Sequence, residues 1–119
     1  MYKTEREHEP VFPAERIGLA LSYIAEHFTD SALQTKTLAK LCGVSEKYFR
    51  TLFKKRYGVT PTQYVIQLRL NAALKYLDYG GYTVAEIAEQ VGIPDVYYFS
   101  KLFKRKFGVS PSKFQQKRF

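Results

Sequence analysis

Two segments of this 119-residue chain have nearly the same sequence, and they decide its fold. Residues 48–61 read YFRTLFKKRYGVTP, and residues 98–111 read YFSKLFKRKFGVSP. Eight of the fourteen positions are identical, and four of the other six exchange Lys with Arg, Tyr with Phe or Thr with Ser. Agreement of this kind within one short chain indicates an internal repeat.

The repeat extends towards the amino terminus of each segment. Residues 38–43 (LAKLCG) match residues 87–92 (IAEQVG) in pattern, and the second copy has one extra residue near Pro94. Each copy therefore consists of a short helix that ends at a glycine, a tight turn and a longer helix with basic residues. That is the sequence form of a helix-turn-helix, and it is present twice.

Apolar residues recur with the 3.6-residue period of a helix along most of the chain, which predicts an all-α fold of about seven helices. Pro13 opens the first predicted helix. The others are expected at about 35–42, 45–57, 61–77, 83–91 and 95–107, and from Ser110 onwards. Residues 60–63 and 83–86 have the sequence of capping boxes, which start helices.

The predicted helices group into one domain of residues 13–119, preceded by a flexible arm or interdomain linker at 1–12. We expect a first helix-turn-helix unit at about 13–59 and a second at about 82–119. The helix between them, about 61–78, is apolar over most of its circumference, so we expect both units to share it. Its narrow polar stripe consists of Gln67, Asn71, Lys75 and Asp78. With about 17 residues it would be roughly 26 Å long.

The composition favours a polyanionic partner and excludes several functions. Nineteen Lys and Arg against eleven Asp and Glu give a formal net charge of +8, which favours nucleic acid. One Cys and two His are too few for a disulfide scaffold or an ordinary Cys/His metal site. No catalytic constellation of Ser/His/Asp, Cys/His or paired carboxylates is apparent, so we expect neither an enzyme nor a cofactor. No apolar run approaches the roughly 18 residues that would span a membrane.

The longer helices of the repeat are predicted to bury matching positions and to expose different residues. The buried stripes are Phe49, Leu52, Phe53 and Tyr57 in the first helix, and Phe99, Leu102, Phe103 and Phe107 in the second. The exposed faces are Lys47, Arg50, Thr51 and Lys54 in the first, and Tyr97, Ser100, Lys101 and Lys104 in the second. Matching cores with diverging surfaces are expected of two copies of one fold that read different bases. The alternative is two solvated helix faces with unrelated charges.

The exposed residue types suit double-stranded DNA. Arg can donate two parallel hydrogen bonds to guanine, so Arg50 is the strongest single candidate for reading a base. Basic runs near the helix ends are better placed for phosphates, which supply affinity without specificity. These runs are Lys54, Lys55, Arg56, Lys104, Arg105 and Lys106. Backbone N–H groups at the helix starts, at Ser45 and Asp95, are further candidates for phosphate contacts.

Residues 38–114 resemble the AraC/XylS family of bacterial transcription regulators. The resemblance rests on the signature Tyr-Phe-x-x-x-Phe-Lys-x-x-x-Gly-x-(Ser/Thr)-Pro and on the segment Arg69-Leu70-x-x-Ala73. It implies a seven-helix domain in which a long helix joins two helix-turn-helix units, whose recognition helices enter adjacent major grooves. It also implies sequence-specific promoter binding and, usually, activation through contacts with RNA polymerase.

The resemblance also assigns base-reading residues by their position in the family motif. They fall on Lys47, Arg50 and Thr51, and on Val96, Tyr97, Ser100 and Lys101. Val96 and Tyr97 offer apolar and aromatic surface where small polar residues are frequent in the family, so we expect less direct base readout from the second unit than from the first. Gln34 also departs from the family, because it replaces the usual cap of the short helix in the first unit.

The family includes small stand-alone activators and larger regulators with a preceding sensor, cupin-like ligand-binding or receiver domain. The polar stretch after Met1 favours the carboxy-terminal domain of a larger regulator, and a stand-alone activator is the alternative. The expected partners are double-stranded promoter DNA, RNA polymerase and, in a larger protein, a sensor or ligand-binding domain, with no membrane. The expected location is the cytoplasm, at the nucleoid. Outside DNA binding, the alternative is a basic helical module that binds acidic proteins or a membrane surface.

Two reactive side chains have structural interpretations. Cys42 aligns with Val91 in the repeat, so we expect a small residue of the core rather than a nucleophile or redox sensor. His27 lies near a predicted helix end, where we expect an exposed or capping residue rather than a ligand or a base.

Overall fold

A computed structural model gives the fold of the chain. It describes the backbone of residues 4–118 and the side chains of residues 16–116. This part of the chain forms seven α-helices and no strands. They are α1 (Thr4–His27), α2 (Thr35–Cys42), α3 (Glu46–Tyr57), α4 (Pro61–Tyr79), α5 (Val84–Val91), α6 (Val96–Phe107) and α7 (Pro111–Arg118). The all-α fold and the number of helices predicted from the sequence are confirmed.

The first helix begins earlier than the sequence predicts. α1 starts at Thr4, so the prediction that Pro13 opens it was wrong. Glu and Arg make up much of residues 5–9 and are good helix formers, and the helix continues through Pro10 and Pro13 although each proline removes an N–H donor. Residues 4–12 are therefore helical, whereas residues 1–3 lie outside the described part. A linker role for 1–12 stays a prediction.

The chain divides into two compact units. The first consists of residues 1–27 and 33–65, and the second of residues 28–32 and 66–119. The first turn of α4 thus belongs to the first unit and the rest of this helix to the second. Residues 28–32 were predicted in the first unit, but they cluster with the second.

Arg69 explains the position of this segment within the second unit. Its Nε donates a hydrogen bond of 2.5 Å to the carbonyl oxygen of Phe28, and its Nη2 donates one of 2.8 Å to the carbonyl oxygen of Asp30. Two charge-assisted bonds from one guanidinium fix the backbone that follows α1.

Each unit has its own apolar core. In the first unit the buried residues are Ile17, Ala20, Ile24, Leu38, Ala39, Cys42, Phe49, Phe53 and Val65. In the second they are Leu70, Ala73, Leu77, Ile87, Ala88, Val91, Ile93, Phe99 and Phe103. Cys42 is 1% exposed, and burial raises the pKa of its thiol, so the expected core role of this residue is confirmed.

The repeat is reproduced in the packing of aromatic rings. The ring centroid of Phe53 lies 5.7, 4.7 and 5.4 Å from those of Phe49, Tyr57 and Tyr64. The ring centroid of Phe103 lies 5.9, 4.6 and 6.1 Å from those of Phe99, Phe107 and Phe114. Tyr64 lies in the first turn of α4 and Phe114 in α7. The start of α4 therefore packs on the aromatic core of the first unit as α7 packs on that of the second.

A further part of the repeat, which the sequence analysis missed, lies in α1 and α4. Residues 16–24 (RIGLALSYI) match residues 69–77 (RLNAALKYL) at the Arg, at one Ala, at one Leu and at the Tyr. The matching apolar positions are fully or nearly buried in both copies: Ile17, Ala20 and Ile24 in α1, and Leu70, Ala73 and Leu77 in α4. Beyond its first turn, α4 therefore corresponds to α1.

The helix ends follow the predicted signals. Both capping boxes are formed: the Thr60 and Thr83 side chains accept bonds from the backbone of Gln63 and Glu86, whose side chains accept in return. Gln34 makes no side-chain cap bond, as its departure from the family indicates. The C-caps of α2, α3, α5 and α6 are left-handed glycines, namely Gly43, Gly58, Gly92 and Gly108.

Candidate nucleic-acid interface

α3 is held by its ends and by one buried face. At its start, Ser45 Oγ accepts a hydrogen bond of 3.1 Å from the backbone N–H of Tyr48. Phe49 and Phe53 are fully buried, and they fix the rotation of the helix about its axis. The opposite face must then point to solvent.

The predicted base-reading residues of α3 lie on that exposed face. Lys47, Arg50, Thr51 and Lys54 are all exposed, and their spacing places them in one stripe along the helix. Thr51 Oγ1 donates a hydrogen bond of 3.1 Å to the carbonyl oxygen of Lys47. The hydroxyl proton is used within the helix, so the threonine presents its methyl group and an acceptor oxygen to a partner.

Arg50 has an acidic neighbour that the sequence analysis did not single out. Its Nη1 donates a hydrogen bond of 2.8 Å to Glu46 Oε2. The spacing of four residues between an acid and a base on one helix was the signal available in the sequence.

A shallow groove beside this face adds another residue that the sequence analysis did not assign to the site. The groove is lined by Arg50, Thr51, Lys54, Lys55 and Thr60. Thr60 caps the start of α4 through its side chain, so a helix amino terminus and three cations lie around one concave surface. Both features attract anions.

α6 presents its predicted residues unequally. Tyr97 is 85% exposed and Lys101 is also exposed, whereas Ser100 is half-buried. Val96 is half-buried and packs against the core of the second unit. Of the four predicted base-reading positions in this helix, two are therefore exposed.

Asp95 caps α6 with its carboxylate. One of its oxygens, Oδ1, accepts hydrogen bonds of 3.1 Å from the backbone N–H groups of both Tyr97 and Tyr98. These two donors are already satisfied, and the cap itself carries a negative charge. A phosphate contact at this helix start would have to use other groups. At the start of α3 the cap Ser45 is neutral, and the acidic residue of the first turn is Glu46.

The basic runs lie in the last turns of α3 and α6. All six residues are exposed: Lys54, Lys55, Arg56, Lys104, Arg105 and Lys106. Cations at a helix carboxy terminus also interact favourably with the helix dipole, so part of their role is structural.

Residues 16–116 contain no group of three or more His, Cys, Asp or Glu that could hold a metal ion. None of the helices there has the length and apolar character needed to cross a membrane. His27 ends α1, its side chain is 44% exposed, and its ring lies 4.2 Å from that of Tyr23, as expected for a residue at a helix end.

A family model described as a helix-turn-helix domain matches residues 38–117, which include α3 and α6. The chain belongs to the AraC family of helix-turn-helix DNA-binding domains. The match runs from within α2 to α7, so α3, α4 and α6 all lie in this AraC-type domain.

Two relatives of this AraC-type domain are regulators with longer chains. The bifunctional transcriptional activator/DNA repair enzyme AdaA of Bacillus subtilis is 37% identical over 109 residues, which are 92% of this chain and 51% of that protein. The MmsAB operon regulatory protein of Pseudomonas aeruginosa is 35% identical, over 81% of this chain and 31% of that protein. The chain thus spans about half, or about a third, of the length of these relatives.

Among solved structures, the carboxy-terminal domain of AraT, a response regulator from Geobacillus stearothermophilus, has the same fold. It superposes with a TM-score of 0.82 at 30% identity and covers 89% of this chain and 88% of that one.

Proposed function

We propose that this AraC-type domain reads specific sequences of double-stranded promoter DNA, with α3 and α6 in successive major grooves. One observation carries the proposal: the two helices have matching buried faces, but their exposed faces differ. Both faces expose groups that can contact bases: Lys47, Arg50 and Thr51 in α3, and Tyr97 and Lys101 in α6. The names of the relatives, a transcriptional activator and an operon regulatory protein, support the same role.

The residues of the proposed interface fall into two groups. Lys47, Arg50 and Thr51 of α3, with Val96, Tyr97, Ser100 and Lys101 of α6, would contact base edges. The basic runs at the ends of both helices and the helix start at Ser45 would contact phosphates. At the helix start at Asp95 the contact would have to use groups other than the N–H groups of Tyr97 and Tyr98, which Asp95 already occupies. Thr60 is added to the residues that would contact phosphates, because it lies in the groove beside Arg50 and Lys54.

The proposal extends to the protein of which this chain is a part. The share of each relative that the chain covers supports a carboxy-terminal domain of a larger regulator, in which a sensor or ligand-binding domain precedes it. We place that regulator in the cytoplasm at the nucleoid, acting as an activator through RNA polymerase. The proposal assigns no enzymatic activity to the chain itself.

A selection experiment tests the proposal. The 119-residue chain is incubated with a pool of random duplexes, the bound fraction is amplified, and affinities for selected and scrambled duplexes are compared by mobility shift at two salt concentrations. We expect a consensus of two half-sites spaced by about one helical turn. If the affinity is equal for all sequences and is lost at the higher salt concentration, the proposal is contradicted and a general polyanion-binding module is favoured.

The first prediction compares the contributions of α3 and α6 to base preference. We expect Arg50→Ala to relax base preference by about ten- to a hundredfold at one position of the consensus, because it removes a bidentate contact of about 1–3 kcal/mol. Tyr97→Ala and Lys101→Ala should relax it less, since Val96 and Ser100 beside them are half-buried. The measurement is repeated selection with each variant. A larger relaxation from the two α6 variants would show that the second unit dominates the readout.

A further inference from the structure

The first residue of α3 is acidic and lies beside the strongest base-reading candidate. Glu46 Oε2 accepts a hydrogen bond of 2.8 Å from Arg50 Nη1, and the Arg50 and Glu46 side chains are 48% and 44% exposed. The counterpart of Glu46 in the repeat is Val96. The first recognition helix therefore carries a carboxylate among its exposed cations at a position where the second has an apolar residue.

The geometry of this pair leaves the arginine able to read a base. A guanidinium carries five N–H donors, and a bond through Nη1 leaves Nε–H and Nη2–H for two parallel bonds to guanine O6 and N7. A side chain that is already held in one conformation loses less entropy when it binds. The stabilisation of the helix by an exposed pair at this spacing is small, so structural benefit alone is a weak reason for the carboxylate.

The charge of Glu46 acts on affinity rather than on discrimination. A carboxylate on the surface that faces DNA repels phosphates, and this repulsion weakens binding to every duplex. The held guanidinium compensates for the loss only where a guanine lies opposite. A penalty that is equal for every duplex leaves the ratio between specific and non-specific affinity unchanged, so any gain in discrimination must come from the hold on Arg50.

We infer that Glu46 is a positioning residue that sets the sequence discrimination of α3 by holding Arg50 in its base-reading orientation. The inference rests on the proposed function, and it adds a residue that itself makes no contact with a base. Because Glu46 acts through Arg50, its effect must depend on the presence of the arginine.

The test compares four forms of the 119-residue chain: wild type, Glu46→Gln, Arg50→Ala and the double variant. Affinities for the selected duplex and a scrambled duplex are measured by fluorescence anisotropy at two salt concentrations. We expect Glu46→Gln to strengthen binding to the scrambled duplex and to lower the ratio of the two affinities by about three- to tenfold. In the Arg50→Ala background the ratio should stay unchanged by the second substitution.

Glu26→Gln is the matched control, since it removes the same charge from an exposed carboxyl of α1, 78% accessible, and should leave the ratio unchanged. Circular dichroism confirms that each variant is folded, and Glu46→Ala replaces Glu46→Gln if that variant is not. An unchanged ratio in Glu46→Gln, or an equal fall with and without Arg50, would overturn the role of Glu46. A wild-type chain without any preference would overturn the proposed function itself, and the role of Glu46 with it.

Discussion

Gly92 is the residue at which the end of α5 and the segment after α1 come close together within the second unit. Its φ is +94°, and a Cβ at this position would lie 2.7 Å from the carbonyl oxygen of Thr29 and 3.0 Å from Arg69 Nε. Glycine is required here for two reasons: the backbone is left-handed, and there is no space for a Cβ. The residue thus connects the helix-turn-helix turn to the backbone that Arg69 fixes.

Replacement of Gly92 should therefore be unusually destabilising. We expect Gly92→Ala to lower the free energy of unfolding by about 2–4 kcal/mol, because the left-handed conformation and a clash with backbone atoms add together. The measurement is chemical denaturation followed by circular dichroism.

Gly108 provides the matched control, since it caps α6 with a φ of +86° and a Cβ there would meet nothing within 4 Å. Gly108→Ala should cost only the backbone strain, about 1 kcal/mol. Equal losses from the two variants would show that the close approach to Thr29 has no energetic weight.

At the scale of the helices, one N-cap substitution should lower the free energy of unfolding and another should raise it. Thr83 forms a complete capping box with Glu86 at the start of α5, whereas Gln34 at the start of α2 makes no side-chain cap bond although its backbone is extended (φ −125°, ψ 149°). We expect Thr83→Ala to lower the free energy of unfolding by about 1 kcal/mol and Gln34→Ser to raise it by about 0.5–1 kcal/mol. Thermal unfolding of each variant measures the shift, and Thr62→Ala, an exposed threonine outside the caps, should be close to neutral. A destabilised Gln34→Ser would mean that Gln34 has a role beyond its position as a cap.

The sequence predicted the features of the fold and the candidate site that depend on local signals within a helix. Periodicity and Gly or Pro signals act locally, so they located α2 to α7 and the exposed stripe around Arg50. The start of α1 was missed because Pro13 reads as a start signal even where the helix passes through it. The position of Ser100 and Val96 depends on packing within the second unit, and periodicity does not give the depth of burial.

Sequence comparison within the chain also missed the match between α1 and α4. Only the Arg, one Ala, one Leu and the Tyr are identical, too few to separate from chance without the structure. Burial made the correspondence visible, because Ile17, Ala20 and Ile24 occupy in one core the places that Leu70, Ala73 and Leu77 occupy in the other.

At the scale of the whole molecule, the net charge of +8 and the arrangement of the exposed residues predict that affinity and specificity can be separated. The basic run of α6 (Lys104, Arg105 and Lys106) is exposed in the last turn of the helix, about one turn beyond Ser100 and Lys101. Replacement of all three by Gln should weaken binding to selected and scrambled duplexes by similar factors. It should also reduce the slope of log K against log salt by about 1–3, because each lost phosphate contact removes about 0.9 from the slope.

The control for this last variant replaces three exposed lysines outside α3 and α6 (Lys36, Lys75 and Lys113) by Gln, which gives the same net charge. If charge acted only through the overall field of the molecule, the two variants would lose affinity equally and would show the same salt slope. Direct phosphate contacts instead require a larger effect from the α6 variant. Its consensus, obtained by repeated selection, should match that of the wild type, whereas Arg50→Ala should change the consensus and leave the slope nearly unaltered. A change of consensus in the α6 variant would contradict the division between residues that contact phosphates and residues that read bases.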